Sequence, residues 1–278
     1  MFRYLKPYKV AAGSAVLLLA AAGGTAAAAA DGTAASLPQQ LPSAQEVIEH
    51  HIEAVGGRAA IEAHSSTQVT GIIEVVGQGL VGTLLIYGAA PNLTVVSLSF
   101  ADVGIESRTG YNGEIGWSVE SMMGERVLEG GELQQLVDEA NYYSDLHEAA
   151  NFSSMEMLEM VDFAGRPSYK LRLVYLSGRE VIEYFDVENG LLTGVEGIQE
   201  SIMGPMNVVS TVGEYQRFDD VMVPTSVLQR LGPGQTVQIT IQSVEHDNVD
   251  PSVFELPAAI KALIGRSRSL RDALRSPG

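Results

Sequence analysis

"VTGIIEVVGQGLVGTLLIYGAAPNLTVVSLSF", residues 69 to 100, decides the fold class. Its apolar side chains come at a period of two or in short continuous runs, bounded by Gly and Pro-Asn. Runs of that length and composition are successive strands. The connections are too short for crossover helices, so the sheet is antiparallel and meandering. Inside the stretch, "GQGLVG" (77 to 82) matches G-x-G-x-x-G. A dinucleotide site needs a helix N-terminus after the glycines, but Val81 to Tyr87 continues as strand. The glycines therefore make a hairpin turn, and no nucleotide site is inferred.

Downstream, "GIESRTGY" (104 to 111) and "EIGWSVES" (114 to 121) extend the run, and strands resume at "SYKLRLVYL", "EVIEYFDV", "LLTGVEGI", "NVVSTVGEYQRF", "VMVPTSVLQ" and "TVQITIQSV". Most carry aliphatic residues on both faces, while the last alternates cleanly, Val237, Ile239 and Ile241 against Thr236, Gln238 and Thr240. The sheet is thus covered on one face and lined with apolar side chains on the other. About ten strands must curl, close or split.

Two helical regions flank or interrupt the strands. "SAQEVIEHHIEAVGG" (43 to 57) opens with a Ser43/Glu46 capping box and stops at Gly56-Gly57. A short helix over 58 to 64 follows. Residues 131 to 160, including "ELQQLVDEANYYSDLHEAANF" and "SSMEMLEM", read as a helical insertion.

The N-terminus has Arg3, Lys6 and Lys9, then an uncharged alanine-rich run that closes on Ala28 and Ala30. That is the pattern of a secretory signal peptide over 1 to 30, the alternative being an uncleaved anchor. Residues 31 to 42 form a flexible segment, 43 to 257 one β domain, and 258 to 278 a basic tail. The chain contains no cysteine, so neither disulfides nor a lipid-attachment thiol is available. The formal net charge is −17. Between 31 and 260 only nine basic residues face 33 acidic ones, which repels nucleic acid and anionic membranes. The tail is the exception. Its Ile260, Leu263, Ile264, Leu270 and Leu274 recur at helical spacing between arginines. It reads either as a basic amphipathic helix or as a frayed end attracted to the acidic body.

Catalytic and metal motifs are weak. "DLHEAANF" (145 to 152) falls one ligand short of H-E-x-x-H, with Asn151 at the second histidine position. Adjacent His50 and His51 point about 100° apart on a helix and cannot share an ion in that way. His147-Glu148 reads as a solvated helical turn. Carboxylate pairs such as Asp219-Asp220 have no His, Lys or metal partner at a readable spacing, so no catalytic residue, cofactor or metal is assigned. The more distinctive signal is soft and apolar. Of eight internal methionines, five (Met122, Met123, Met155, Met157 and Met160) lie in or next to the helical insertion, with Tyr142, Tyr143 and the single tryptophan Trp117 in the same region. They suit a cavity for a flexible lipid-like ligand, lined by Leu84, Ile86, Phe100, Trp117, Met122, Met123, Tyr142, Tyr143, Met155 and Met157.

The segments "HIEAVGGRAAIEA", "YNGEIGWSV", "EYFDVENGLLTGVE", "GEYQRFDDVMVPTSV" and "VDPSVFELP" together span nearly all of the chain beyond the leader. In them, and in its order of elements, the chain resembles the LolA/LolB-like superfamily of periplasmic lipoprotein carriers, especially its outer membrane lipoprotein-sorting branch. The resemblance implies a mainly β (α+β) fold: a strongly bent antiparallel β half-barrel, with an N-terminal helix and a helical insertion covering the concave face. It also implies a soluble periplasmic carrier for a lipid or lipoprotein acyl chain, a non-enzyme that works with inner- or outer-membrane transport components. A non-catalytic envelope scaffold that holds a protein partner in its apolar groove is the alternative. A hydrolase with a dispersed site would instead show a cleft with a perturbed carboxylate or histidine.

Overall fold

The computed structural model describes residues 2–5, 8–10, 41–232 and 234–275. The expected signal peptide, its cleavage point and most of the 31–42 segment lie outside them, apart from an antiparallel pair, β1 (Phe2–Leu5) and β2 (Tyr8–Val10). None of the described helices is long and apolar enough to cross a membrane.

Helix α1 (Ala44–Ala54) starts where the capping box predicts. Glu46 N–H donates to Ser43 Oγ at 3.2 Å, and Ser43 N–H donates to the Glu46 carboxylate at 2.7 Å. Val47, Ile48, His51 and Ile52 are its buried stripe, while His50 is exposed on the opposite side. Gly56 (φ +124°) then turns the chain into α2 (Arg58–Glu62). A Cβ at Gly56 would collide with the Asp220 carbonyl, and Met222 N–H donates to Val55 O at 2.9 Å. The end of α1 is thereby stitched to a distant hairpin.

Strands β3 (Ser66–Val75), β4 (Leu80–Ala89), β5 (Leu93–Phe100), β6 (Ile105–Tyr111), β7 (Gly116–Glu120) and β8 (Gly124–Val127) form the first arm of the sheet. Gly77 and Gly79, at φ +78° and +66°, turn β3 into β4 as the hairpin reading of "GQGLVG" requires. After α3 (Gly130–Ala140) come β9 (Phe152–Phe163), β10 (Arg166–Tyr175), β11 (Glu180–Asp186), β12 (Leu192–Gln199), β13 (Met206–Phe218), β14 (Val221–Leu231) and β15 (Gln235–His246). They form one antiparallel sheet of thirteen strands among the described residues, ordered β8-β7-β6-β5-β4-β3-β15-β14-β13-β12-β11-β10-β9. β15 closes the two arms together by pairing with β3, while β8 and β9 remain edges, so the sheet is open.

Alternation divides the sheet into two faces. The inner face, with Val69, Ile73, Leu84, Ile86, Val96, Leu171, Leu173, Val227 and Ile239, packs with α1 into one large core. Each such aliphatic contributes about 1.5–3 kcal/mol by leaving water. The outer face of the first arm, with Val95 and Trp117, is covered by Phe254 and Ile260. Ile260 belongs to α4 (Ala258–Arg275), so the start of the C-terminal segment is a docked helix rather than a frayed end.

One expected helix is a strand. "SSMEMLEM" lies in β9, paired with β10 so that Met155 opposes Leu173 and Met157 opposes Leu171. Methionine and glutamate favour helices as isolated residues. Here the ladder offered by β10 and the inward burial of alternate methionines outweigh that preference. The helical insertion is therefore α3 plus two 3-10 turns, Ser144–Leu146 and Ala149–Asn151.

Candidate ligand-binding face and its cover

Helix α3 has two unlike sides. Leu133, Leu136, Val137 and Ala140 pack on Tyr111 and Leu128 of the first arm. Gly116 lets them approach, since a Cβ there would lie 2.7 Å from Leu133 Cδ1. The opposite side is polar and reaches the second arm. Arg179, just before β11, donates from Nε to Asp138 Oδ2 at 3.0 Å and from a terminal nitrogen to Glu139 Oε1 at 3.3 Å. Ser177 Oγ adds a 2.7 Å bond to Asp138. Gln135 Nε2 donates to Gln199 Oε1 at 2.9 Å, and Glu200 N–H donates back to Gln135 Oε1 at 2.8 Å. The helix thus spans between the two arms, held by apolar contact on one and by hydrogen bonds and ion pairs on the other.

The chain after α3 runs along the inner face. Tyr142 OH meets Thr67 Oγ1 at 2.7 Å, and burial pushes its phenol up to about 12. Tyr143 OH donates to His64 O at 3.2 Å. His147 follows with a left-handed backbone (φ +44°). It is not on a solvated turn as its local sequence predicts. Its side chain is 1% exposed and its Nε2 lies 2.8 Å from the Glu183 carboxylate, itself 0% exposed. Its Nδ1 lies 2.9 Å from Asp145 O. His51 of α1 joins them edge-on, 5.8 Å between ring centroids, with its Nδ1 3.0 Å from Gly190 O. A cavity of about 10 Å³ among His51, Asp145, His147, Leu192, Tyr215 and Met222 has room for a single water. Tyr215 OH donates to Leu192 O, and burial, then the Asp145 charge, push its phenol far up. This polar island in an apolar core has no local motif. Its one sequence signal is Glu183, an acid in phase with inward Val181 and Phe185, where a charge is unexpected.

The structure brings together most, not all, of the residues singled out for ligand contact. Leu84 and Ile86 belong to the inner-face core, and Phe100, Tyr143, Met155 and Met157 pack against it. Tyr142 lies in the cover beside Gly88. Trp117 is on the other face. It pairs with Gly110 and, through it, with Val95, whereas Ile86 pairs with Val96, and neighbours on a strand point oppositely. Met122 and Met123, in the turn between β7 and β8, are 68% and 36% exposed.

A separate groove of about 400 Å³ crosses β11, β12 and β13, with Ile182, Ile198 and Val209 between Glu180, Glu196 and Asn207. Ile198 and the following Ile202 and Met203 are exposed.

The chain matches no family model and no curated protein. Solved structures do match. A LolA superfamily protein from Nitrosomonas europaea superposes with a TM-score of 0.54 at 13% identity, covering 78% of this chain and 99% of its own. A DUF1329 family protein from Desulfovibrio piger gives 0.53 at 11% identity, covering 78% and 98%. Identities this low speak to architecture alone. An open, antiparallel, meandering sheet with an apolar inner face, an N-terminal helix packed on it and a helical cover between its arms is the LolA-like fold, and this chain has it.

Proposed function

We propose that the protein is an exported, periplasmic carrier that binds one hydrophobic molecule, a lipid or a lipoprotein acyl chain, against the inner face of the sheet. Leu84, Ile86, Phe100, Tyr142, Tyr143, Met155 and Met157 line the site. The two-sided attachment of α3 is the observation that carries this reading. An apolar ligand must enter a face that is otherwise packed, so one side of the cover has to let go without unfolding the other. The hydrogen bonds to Gln199 and Glu200 can exchange with water at a net cost of about 0.5–1.5 kcal/mol each, and the charged ones to Arg179 at about 1.5–3 kcal/mol, while the apolar side stays docked. Gly130, at φ +57°, is the hinge. Each buried methylene of an acyl chain contributes about 0.8 kcal/mol, enough for capture without a charged anchor. Membrane transport components would supply and accept the cargo.

Native mass spectrometry and solvent extraction of protein purified from its own envelope test this. A bound lipid is the expected result, with faster exchange of a fluorescent fatty acid in Arg179→Ala and loss of binding in Leu84→Asp. Recovery of a ligand-less mass, with no fatty-acid uptake in either wild type or Arg179→Ala, refutes it. A second reading, an adaptor that grips a protein partner, draws on the β11–β13 groove and the exposed Ile198, Ile202 and Met203 beside it. In that case Ile198→Asp abolishes partner capture and leaves fatty-acid uptake unchanged.

A further inference from the structure

Three segments far apart in sequence meet at one end of the sheet. His64 lies between α2 and β3, Asp219 in the turn between β13 and β14, and His246 at the last residue of β15. One potential ligand atom from each lies within 4.8 Å of the other two. We propose that they form a binding site for a divalent transition-metal ion of the zinc type.

The residue types are right for such an ion. Two imidazoles and one carboxylate are borderline donors that suit zinc and its neighbours, and three protein ligands leave a position for water. The arrangement behind them is the stronger argument. Metal-binding histidines characteristically engage their second ring nitrogen with a carboxylate, carbonyl or hydroxyl that fixes the ring. Here His64 Nδ1 lies 2.8 Å from Asp247 Oδ2, and His246 Nδ1 lies 3.1 Å from Thr67 Oγ1. Both rings are therefore oriented through Nδ1, and Nε2 is the nitrogen the proposal assigns to the metal. The supporting groups are themselves anchored. Asp247 Oδ1 accepts from the backbone N–H groups of Ser65 and Ser66 at 2.7 and 3.3 Å, and Thr67 Oγ1 also meets Tyr142 OH. The base of the Asp219 turn is located by the close approach of the Asp220 carbonyl to Gly56, just after α1, while the Asp219 side chain stays exposed at the tip. One ligating and one supporting carboxylate balance a divalent charge, and the acidic body draws cations towards it.

Ligation asks for a small closure. Donors on a tetrahedral zinc sit about 3.3 Å apart, given metal–nitrogen distances of about 2.0–2.1 Å. The His64 and His246 rings are stacked at 4.0 Å with 16° between planes, so one must tilt for both Nε2 atoms to face a common point. His64 is partly exposed and sits on a connecting segment, and Asp219 is exposed on a turn tip, so both can move while His246 stays in its strand.

The untagged protein, stripped with chelator and titrated calorimetrically with zinc chloride, decides the matter. One equivalent is expected to bind. His64→Ala and Asp219→Ala should each weaken binding by more than the roughly 10–100-fold that Asp247→Asn causes as a supporting change. His50→Ala, on the exposed face of α1, should have no effect. Asp219 is exposed, so its variant tests the site even if the histidine variants fold poorly. No stoichiometric uptake by the wild type overturns the proposal, as does wild-type affinity in Asp219→Ala.

Discussion

Replacing His147 by alanine should destabilise the protein far more than its sequence context suggests. The local sequence places it on a wet helical turn, where a substitution would cost within about 0.5 kcal/mol. In the structure the side chain is 1% exposed and hydrogen-bonded to a carboxylate that is 0% exposed. Removing one member of a buried charge-capable pair costs about 3–5 kcal/mol, because Glu183 then keeps its desolvation penalty without the 2.8 Å contact to the imidazole. Against a total of about 5–15 kcal/mol for a domain, that is a large fraction. With a urea m-value of about 3 kcal/mol/M the midpoint should fall by roughly 1–1.7 M. Trp117 is a convenient reporter: it is the single tryptophan, fully buried, and on the opposite face of the sheet from the mutation. The double variant His147→Leu/Glu183→Leu supplies the control. Exchanging both polar partners for apolar groups removes the buried carboxyl that has lost its imidazole contact, so it should be more stable than His147→Ala. A midpoint shift below about 0.3 M for His147→Ala, or a double variant no better than the single, refutes the buried-pair argument.

Asp247 should give the protein an acid limb. Burial alone would raise its carboxyl, but hydrogen bonds from Ser65, His64 and Ser66 hold it down at about 2, below the ordinary 3.8. A carboxyl with a depressed folded pKa stabilises the fold fully above its unfolded value, and that contribution disappears as pH falls from about 4 towards 2. Urea midpoints measured across this window should decline less steeply in Asp247→Asn, and equal slopes would contradict the assignment. Ile260→Ser, at a site 0% exposed on the outer face, should cost about 2–5 kcal/mol and expose Trp117 to acrylamide quenching. Quenching unchanged from wild type would mean that α4 is not docked there.

The strand-rich class, the capping box of α1, the hairpin at Gly77 and Gly79 and the alternation of β15 were all legible in the linear chain, because each depends on residues a few positions apart. Periodicity reports which side chains share a face, and hairpin loops report antiparallel pairing. Other features depended on partners the chain cannot announce. "SSMEMLEM" has the composition of a helix, and only the β10 ladder makes it an edge strand. Trp117 sits near the tyrosines in sequence, yet strand phase sends it to the outer face under α4. His147 looks solvated until Glu183, 36 residues on, is folded against it. His64 and His246 are 182 residues apart, and no spacing rule links them. The closure of β15 onto β3 puts them side by side, because hydrogen-bonded strands lie about 4.8 Å apart whatever the length of chain between them.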